Sequence, residues 1–189
     1  METSRLIEEI EKLVEETCKK ETNIFGYTIW SHHIKDVIKY GKMLADKLGA
    51  DIEIVEISAL LHDYAGIKDK SLHENHHIHG AIEAEKILLG LGYPEEKIEK
   101  VKHCIVSHRG SINSDRLTQE AVCVASADAM AHIAQVPSLF YLVYCRHGMN
   151  VDEGAHWVKS KIERSWNKLC PEAKELIKDT YIGAKQILF

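Results

Sequence analysis

Proline, paired cysteines and long apolar runs are scarce or missing in this chain of 189 residues. Only three prolines occur, and the five cysteines are widely spaced and include no CxxC pair. An odd number of scattered cysteines argues against a disulfide framework and against a thiolate zinc site. No stretch approaches the roughly 18 consecutive apolar residues that a transmembrane helix needs. The chain is therefore expected to be free of both structural devices and of membrane spans.

A basic surface stripe is also missing. The formal net charge is −5, and glutamates are intermixed with lysines along most of the chain, as on solvated helix faces. This pattern argues against long nucleic acid as the main ligand. The opening residues METSRLIEEIEKL lack the basic and then apolar layout of a secretory signal, so we expect a cytoplasmic protein that does not bind membranes.

Helical periodicity dominates what is present. Apolar residues recur at three- and four-residue spacing, the alternation typical of strands is hard to find, and Pro94 and Pro171 stand where helices could begin. The sequence predicts an all-α helical bundle that forms a single domain over residues 1–189. Surface loops are predicted from Ala65 to Asn75 and from Arg109 to Asp115. The predicted helices span residues 4–20, 28–48, 51–64, 77–91, 94–108, 116–135, 139–147, 151–168 and 171–187.

Histidine is unusually frequent, with twelve in the chain and five of them between residues 62 and 79. Several predicted helices carry a histidine or aspartate on the same stripe as their apolar, core-facing residues. Asp63 directly follows His62 and lies at the edge of the apolar stripe that contains His62. Periodicity prefers His77 to His76 and His79, and His108 to His103. The inward-facing candidates are His33, His62, His77, His108 and Asp128.

Each candidate also has an ordinary explanation. A single core histidine is more often bonded to a backbone carbonyl than to a metal. Asp128 could pair with His132 one turn further along its helix. A buried carboxylate is costly without compensation, however, and histidine is the commonest metal ligand. The candidates together therefore indicate a metal site more strongly than any one of them does alone.

Three segments in order carry a family resemblance: HHIKDVIKYGKMLA with His33, ISALLHDYAG with His62 and Asp63, and VASADAMAHI with Asp128. This arrangement resembles the HD-domain superfamily of metal-dependent phosphohydrolases, over about residues 30–132. The resemblance implies that these four residues bind one divalent metal ion. HHIHGAIEAEKIL and VKHCIVSHRG are similar to two further histidine segments of the family. They imply that His77 and His108 hold a second metal or bind the substrate phosphate, while His76, His79 or His103 could replace either one.

The predicted activity is hydrolysis of a phosphoester or phosphoanhydride by a metal-activated water. The resemblance implies a small phosphate substrate, most simply a nucleotide. Imidazole and carboxylate ligands suit Mn²⁺, Fe²⁺, Co²⁺, Ni²⁺ or Zn²⁺, and Mg²⁺ is a further candidate. One or two ions per chain are expected. Asp63 and His108 are the candidate catalytic residues, and Lys68 and Arg109 are candidates for clamping a phosphate.

Two alternatives stay open. The same ligands could hold two irons in an oxygenase, which would require His77 and His108 to be true ligands. The domain could also be a non-catalytic module that binds a metal or a nucleotide.

Overall fold

The structure is a computed structural model that describes residues 3–109 and 115–188. All regular structure in these ranges is helical, as the sequence predicted. Residues 110–114 of the loop predicted from Arg109 to Asp115 lie outside the described residues. Three short segments are not α-helical: π-helices at Trp30–Ile34 and Leu142–Arg146 and a 3₁₀ turn at Lys70–Leu72. The α-helices are α1 (Thr3–Cys18), α2 (Lys35–Leu48), α3 (Ile52–Leu61), α4 (Tyr64–Lys68), α5 (His76–Gly90), α6 (Glu95–Ser107), α7 (Gln119–Ala134), α8 (Val136–Tyr141), α9 (Val151–Lys168) and α10 (Pro171–Leu188).

Helix α7 is the central element of the bundle. It packs against α2, α3, α6, α9 and α10, and most of its residues are buried, including Asp128. A helix that is apolar nearly all the way round is suited to such a position. The bundle therefore surrounds the helix that carries the downstream aspartate.

Side-chain caps fix where several helices begin. The Asp51 carboxylate accepts hydrogen bonds from the backbone N–H groups of Glu53 and Ile54 at the start of α3. The Thr118 hydroxyl accepts from the N–H of Ala121, so α7 begins at Gln119 and not at the predicted Arg116. Such caps satisfy backbone donors that the first helical turn leaves unpaired.

The segment after His62 and Asp63 differs from the prediction. It is not a surface loop throughout, because it forms α4 and the short 3₁₀ turn, and Ala65, Gly66 and Ile67 are buried. A Cβ atom on Gly66 would lie 3.2 Å from Nδ1 of His73 and 3.5 Å from Cβ of His76. Close packing by glycine thus brings the histidine-bearing start of α5 beside the His-Asp pair.

His33 lies on the π-helix that leads into α2, where the sequence predicted a regular helix. Single π-turns of this kind are rare and are frequent at functional sites. Within residues 3–109 and 115–188, every helix is too short or too polar to cross a lipid bilayer.

Candidate metal centre

A cavity of about 330 Å³ contains most of the polar residues singled out by the sequence. This volume is at the lower end of the range for small-molecule sites. Its polar lining comes mainly from the π-helix before α2, the turn after α3, the start of α5, the end of α6, α7 and α9. The segment before that π-helix, α8 and the second π-helix also contribute. The lining includes His33, Asp63, His76, His108, Arg109, Asp128 and His132.

The first cluster joins the early histidine to the His-Asp pair. Nε2 of His33 lies 3.1 Å from Nε2 of His62 and 3.4 Å from Oδ2 of Asp63, while Nε2 of His62 lies 3.2 Å from the same carboxylate oxygen. His62 is fully buried. Three ligand-type atoms therefore converge from two parts of the chain that lie 29 residues apart.

The other oxygen of Asp63 faces a second cluster. Oδ1 of Asp63 lies 3.4 Å from Nε2 of His76 and 3.8 Å from Nε2 of His108, and these two nitrogens are 3.2 Å apart. Asp63 thus belongs to both clusters, with one carboxylate oxygen directed at each. A carboxylate placed in this way can bridge two cations.

Asp128 completes the site on the α7 side. Its Oδ1 lies 3.5 Å from Nε2 of His33 and 3.1 Å from Nε2 of His132, and its Oδ2 forms an ion pair with Lys168 of α9. The rings of His33 and His132 stack at 4.6 Å. The pairing of Asp128 with His132 that the sequence suggested is therefore present. The same carboxylate oxygen also lies close to His33.

Three of the imidazoles are held in one tautomer by backbone carbonyls. Nδ1 of His62 donates a hydrogen bond to the backbone carbonyl of Ala59 (2.8 Å). Nδ1 of His108 donates to the carbonyl of Ile105 (2.6 Å). His76 makes the same bond to the carbonyl of His73 (2.8 Å). Because a carbonyl can only accept, each of these rings, when it is neutral, presents an Nε2 lone pair to the clusters. Metal-binding histidines are typically oriented by this kind of second hydrogen bond.

The charges at the centre depend strongly on one another. Burial opposes protonation of His62, but the negative charge of Asp63 outweighs it and raises the pKa of His62 to about 9. Burial likewise favours the neutral acid of Asp63, yet His62 and His33 hold its pKa well below the usual range. Burial, followed by the charge of His62, lowers the pKa of His108 well below its usual value.

These groups fit a divalent metal ion. At the first cluster the Nε2 atoms of His33 and His62 face each other beside the Asp63 carboxylate, so a positive charge is needed between them. In the absence of a metal ion a proton supplies that charge, and a bound metal ion would supply it instead. In each of three groups the ligand atoms all lie within 4.8 Å of one another. The groups are His33 with His62 and Asp63, Asp63 with His76 and His108, and His33 with Asp128 and His132.

The structure corrects the preference for His77 over His76. His76 begins α5, and its hydrogen bond to the His73 carbonyl turns its Nε2 toward Asp63 and His108. His77 is buried and accepts a hydrogen bond from Nη1 of Arg109 over 3.4 Å. Burial lowers its pKa, so it stays a neutral acceptor. His77 belongs to none of the three described ligand groups, and its contact is with Arg109.

The two cations proposed to clamp a phosphate differ in position. Arg109 lines the cavity and donates to the backbone carbonyl of Glu74. Lys68 does not line it, because its ammonium forms an ion pair of 2.6 Å with Glu83 of α5. The expectation for Lys68 is therefore corrected. The loop position that suggested it is occupied by α4, which directs the lysine toward α5.

Sequence reasoning also missed residues that line the cavity from α9. Lys161, Arg164 and Lys168 lie at three- and four-residue spacing on one face of that helix. Their spacing was readable, but the sequence could not tell which neighbouring helix this face meets. His79 and His103, kept as substitutes for His77 and His108, do not line the cavity.

Comparison with known proteins gives one match to a family model and several to individual proteins. The HD domain model matches residues 30–132. Ribonuclease Y of Petrotoga mobilis is 32% identical over 107 residues, which cover 57% of this chain and 19% of that protein. The chain thus spans about a fifth of the length of the curated relatives that it matches.

Solved structures support the fold. The crystal structure of Bacillus subtilis YpgQ matches with a TM-score of 0.76 and 22% identity, over 100% of this chain and 94% of that chain. Its complex with ADP matches with a TM-score of 0.72 and 21% identity, over 96% and 93% of the two chains. A predicted HD superfamily hydrolase from an uncultured Thermotogales bacterium matches with a TM-score of 0.57 and 20% identity, over 82% and 84%. The chain belongs to the HD domain superfamily of phosphohydrolases.

Proposed function

We propose that this protein hydrolyses a phosphoester or phosphoanhydride bond of a nucleotide, with one or two divalent metal ions at the Asp63 clusters. The observation that carries the proposal is the arrangement of Asp63. Its two carboxylate oxygens face two separate groups of imidazole Nε2 atoms on the wall of one cavity. Such a site offers both a place for metal ions and space beside them for a substrate.

The residues divide between two positions. His33, His62, Asp63 and Asp128 would hold the first ion, and Asp63, His76 and His108 would hold the second. When bound, such ions polarise phosphoryl oxygens and make water a strong nucleophile at neutral pH. Imidazole and carboxylate ligands suit Mn²⁺, Fe²⁺, Co²⁺, Ni²⁺ or Zn²⁺, and Mg²⁺ is a further candidate.

We assign His108 to metal binding in preference to phosphate binding. Its low pKa and its hydrogen bond to the Ile105 carbonyl leave Nε2 as an acceptor. A phosphoryl oxygen is also an acceptor, so a neutral His108 has no proton to donate to it. The hydrogen bond from Nδ1 of His76 to the His73 carbonyl supports the same role there.

In the proposed reaction, the oxygen of a water molecule forms a bond to phosphorus and the bond from phosphorus to the leaving oxygen breaks. The proton that the water loses balances the proton that the leaving oxygen gains. Asp63 and Asp128 face the reacting region as carboxylates, since their pKa values are held well below the usual range against the effect of burial. Arg109 offers a cationic side chain in the same cavity.

Two observations support a nucleotide as the substrate. A structurally similar protein, YpgQ, has been crystallised with ADP. The cavity here also combines cationic side chains from two parts of the chain with apolar and aromatic ones, among them Phe25, Leu139 and Trp157. A nucleotide presents both phosphate and an apolar ring face, which this combination suits.

The test combines metal analysis with turnover. We expect protein purified without added metal to retain one or two transition-metal ions per chain and to release phosphate or pyrophosphate from a nucleotide panel with Mn²⁺, Co²⁺, Ni²⁺ or Mg²⁺. Asp63→Asn should abolish release, because it removes the carboxylate shared by both clusters. Asp46→Asn is the matched control, since Asp46 is an exposed carboxylate on α2 that does not line the cavity.

Other outcomes would change the assignment. Full turnover in Asp63→Asn would overturn the proposed mechanism. Two irons per chain, with oxygen consumption and no phosphate release, would favour the oxygenase alternative. Stabilisation by nucleotides without turnover of any panel member would favour a binding module.

A further inference from the structure

Helix α9 contributes a row of cationic side chains to the cavity, outside the segment that the HD domain model matches. Lys161, Arg164 and Lys168 recur at the spacing of one helix face, and all three line the cavity. Seven residues of α-helix rise by about 10 Å, so the row extends well beyond the residue that contacts Asp128. This row is not part of either Asp63 cluster.

The cationic side chains that line the cavity differ in whether they already have a hydrogen-bond or ion-pair partner in the protein. Lys168 forms an ion pair with Asp128, and Arg109 contacts the Glu74 carbonyl and His77. Lys161 forms no hydrogen bond or ion pair with any residue that the structure describes, and neither does Arg164. Lys161 is nevertheless half-buried, and burial lowers its pKa from the usual value. A poorly hydrated ammonium without an anionic partner is costly to keep.

Charge balance points in the same direction. Among the described residues that line the cavity, the side chains of Arg109, Lys161, Arg164 and Lys168 are cationic, whereas Asp63 and Asp128 are the carboxylates. Both carboxylates belong to the clusters already described. The positive charge without a carboxylate partner therefore lies along α9, where Lys161 and Arg164 line the cavity.

We propose that Lys161 and Arg164 form a subsite for a second phosphate group, next to the phosphate held at the Asp63 clusters. The substrate class is then a nucleoside diphosphate or triphosphate in preference to a monophosphate. The inference rests on the proposed function, because it takes the Asp63 clusters as the place of the first phosphate. Charge-assisted hydrogen bonds from lysine and arginine to phosphate oxygens supply the selectivity.

The first experiment measures binding and not turnover. Protein loaded with Mn²⁺ is titrated by calorimetry with adenosine 5′-(α,β-methylene)diphosphate, which resists hydrolysis, and with AMP. Lys161→Met keeps the length of the side chain and removes its charge. We expect it to weaken binding of the diphosphate about 10- to 100-fold, the range for losing a hydrogen bond to a charged group. Binding of AMP should weaken by less than about fivefold, as for a screened charge.

Two further variants keep the test sharp. Arg164→Gln should also weaken binding of the diphosphate more than binding of AMP. Arg164 is exposed, so this substitution should leave the fold intact. Lys159→Met removes the same charge from the same helix at a position that does not line the cavity. It should change the binding of both nucleotides by less than about fivefold. Circular dichroism of each variant checks that the helices persist.

The outcomes separate this proposal from the proposed function. The subsite would be overturned if Lys161→Met weakened binding of AMP and of the diphosphate equally. It would also be overturned if Lys159→Met weakened binding of the diphosphate as much as Lys161→Met does. Selective weakening of the diphosphate in a protein that hydrolyses no nucleotide would support the subsite and overturn the hydrolase assignment. If the hydrolase function and the subsite are both correct, Lys161→Met should raise the KM for nucleoside triphosphates more than the KM for AMP.

Discussion

Nε2 of His76 lies 3.2 Å from Nε2 of His108, although 32 residues separate them in the chain. Each ring donates through its Nδ1 to the carbonyl three residues earlier, at His73 and Ile105. The two Nε2 lone pairs therefore face one another beside Oδ1 of Asp63. Two opposed acceptors in a partly buried site need a cation or a proton between them, and this relationship defines the second cluster.

The choice between His76 and His77 can be tested directly by metal content. We expect His76→Gln to lower the number of bound metal ions per chain, because it removes one of three ligands from the second cluster. His77→Gln should retain the wild-type content, since His77 contacts Arg109 and not the cluster. Elemental analysis of the dialysed proteins measures both. Loss of metal in His77→Gln alone would contradict the placement of the two residues.

The ion pair between Lys168 and Asp128 predicts a metal-dependent effect on stability. Both side chains are almost fully buried, at 7% and 10% exposure. Lys168→Met leaves a buried carboxylate without its main partner, so unfolding in EDTA should require about 3–5 kcal/mol less free energy. Added Mn²⁺ should recover much of this loss, because a metal ion near Asp128 replaces the positive charge.

Urea unfolding with EDTA and with Mn²⁺ measures the effect. Lys47→Met is the control, because Lys47 forms an exposed ion pair with Glu175 and its loss should change stability little under either condition. Equal stability of wild type and Lys168→Met in EDTA would be inconsistent with the buried pair.

Two glycines should respond in opposite directions to alanine. A Cβ atom on Gly154 would overlap the ring of Tyr144, whose hydroxyl donates to the Val151 carbonyl. Gly154→Ala should therefore destabilise the fold by about 1–3 kcal/mol through overpacking. Gly183 lies within α10 with no heavy atom within 4 Å of the added Cβ, so Gly183→Ala should stabilise by about 0.5–1 kcal/mol. Thermal or urea unfolding of the pair decides, and destabilisation by both would contradict the packing.

Thiol reactivity should divide the five cysteines into classes. Cys18, Cys104 and Cys123 are buried, and burial raises the pKa of each thiol to about 12. At pH 8 these thiols should resist Ellman's reagent in the native state, because the thiolate is the reactive form. Cys145 is exposed and should react first, followed by the half-buried Cys170. Five thiols should react in guanidinium, and a third fast thiol in the native protein would contradict the burial.

Much of the centre could be predicted from local patterns. His33, His62, His108 and Asp128 occupy apolar stripes, and such stripes face the core. His33 does so although it lies on a π-helix. The rule placed His77 in the core, but it is His76 that joins the cluster, because the bond from the His76 ring to the His73 carbonyl sets its direction. Lys68 was expected in a loop beside the site, but α4 forms there and turns its side chain toward Glu83.

The sequence by itself determined the all-helical architecture, because apolar spacing is a local property and each helix must bury its apolar face. It also determined the family, since the ordered His, His-Asp and Asp segments can be recognised without coordinates. Only the tertiary structure decided which histidines share a carboxylate and which face of α9 meets α7. Those relationships join residues tens of positions apart, and they depend on how whole helices pack, which no periodicity within a single helix encodes.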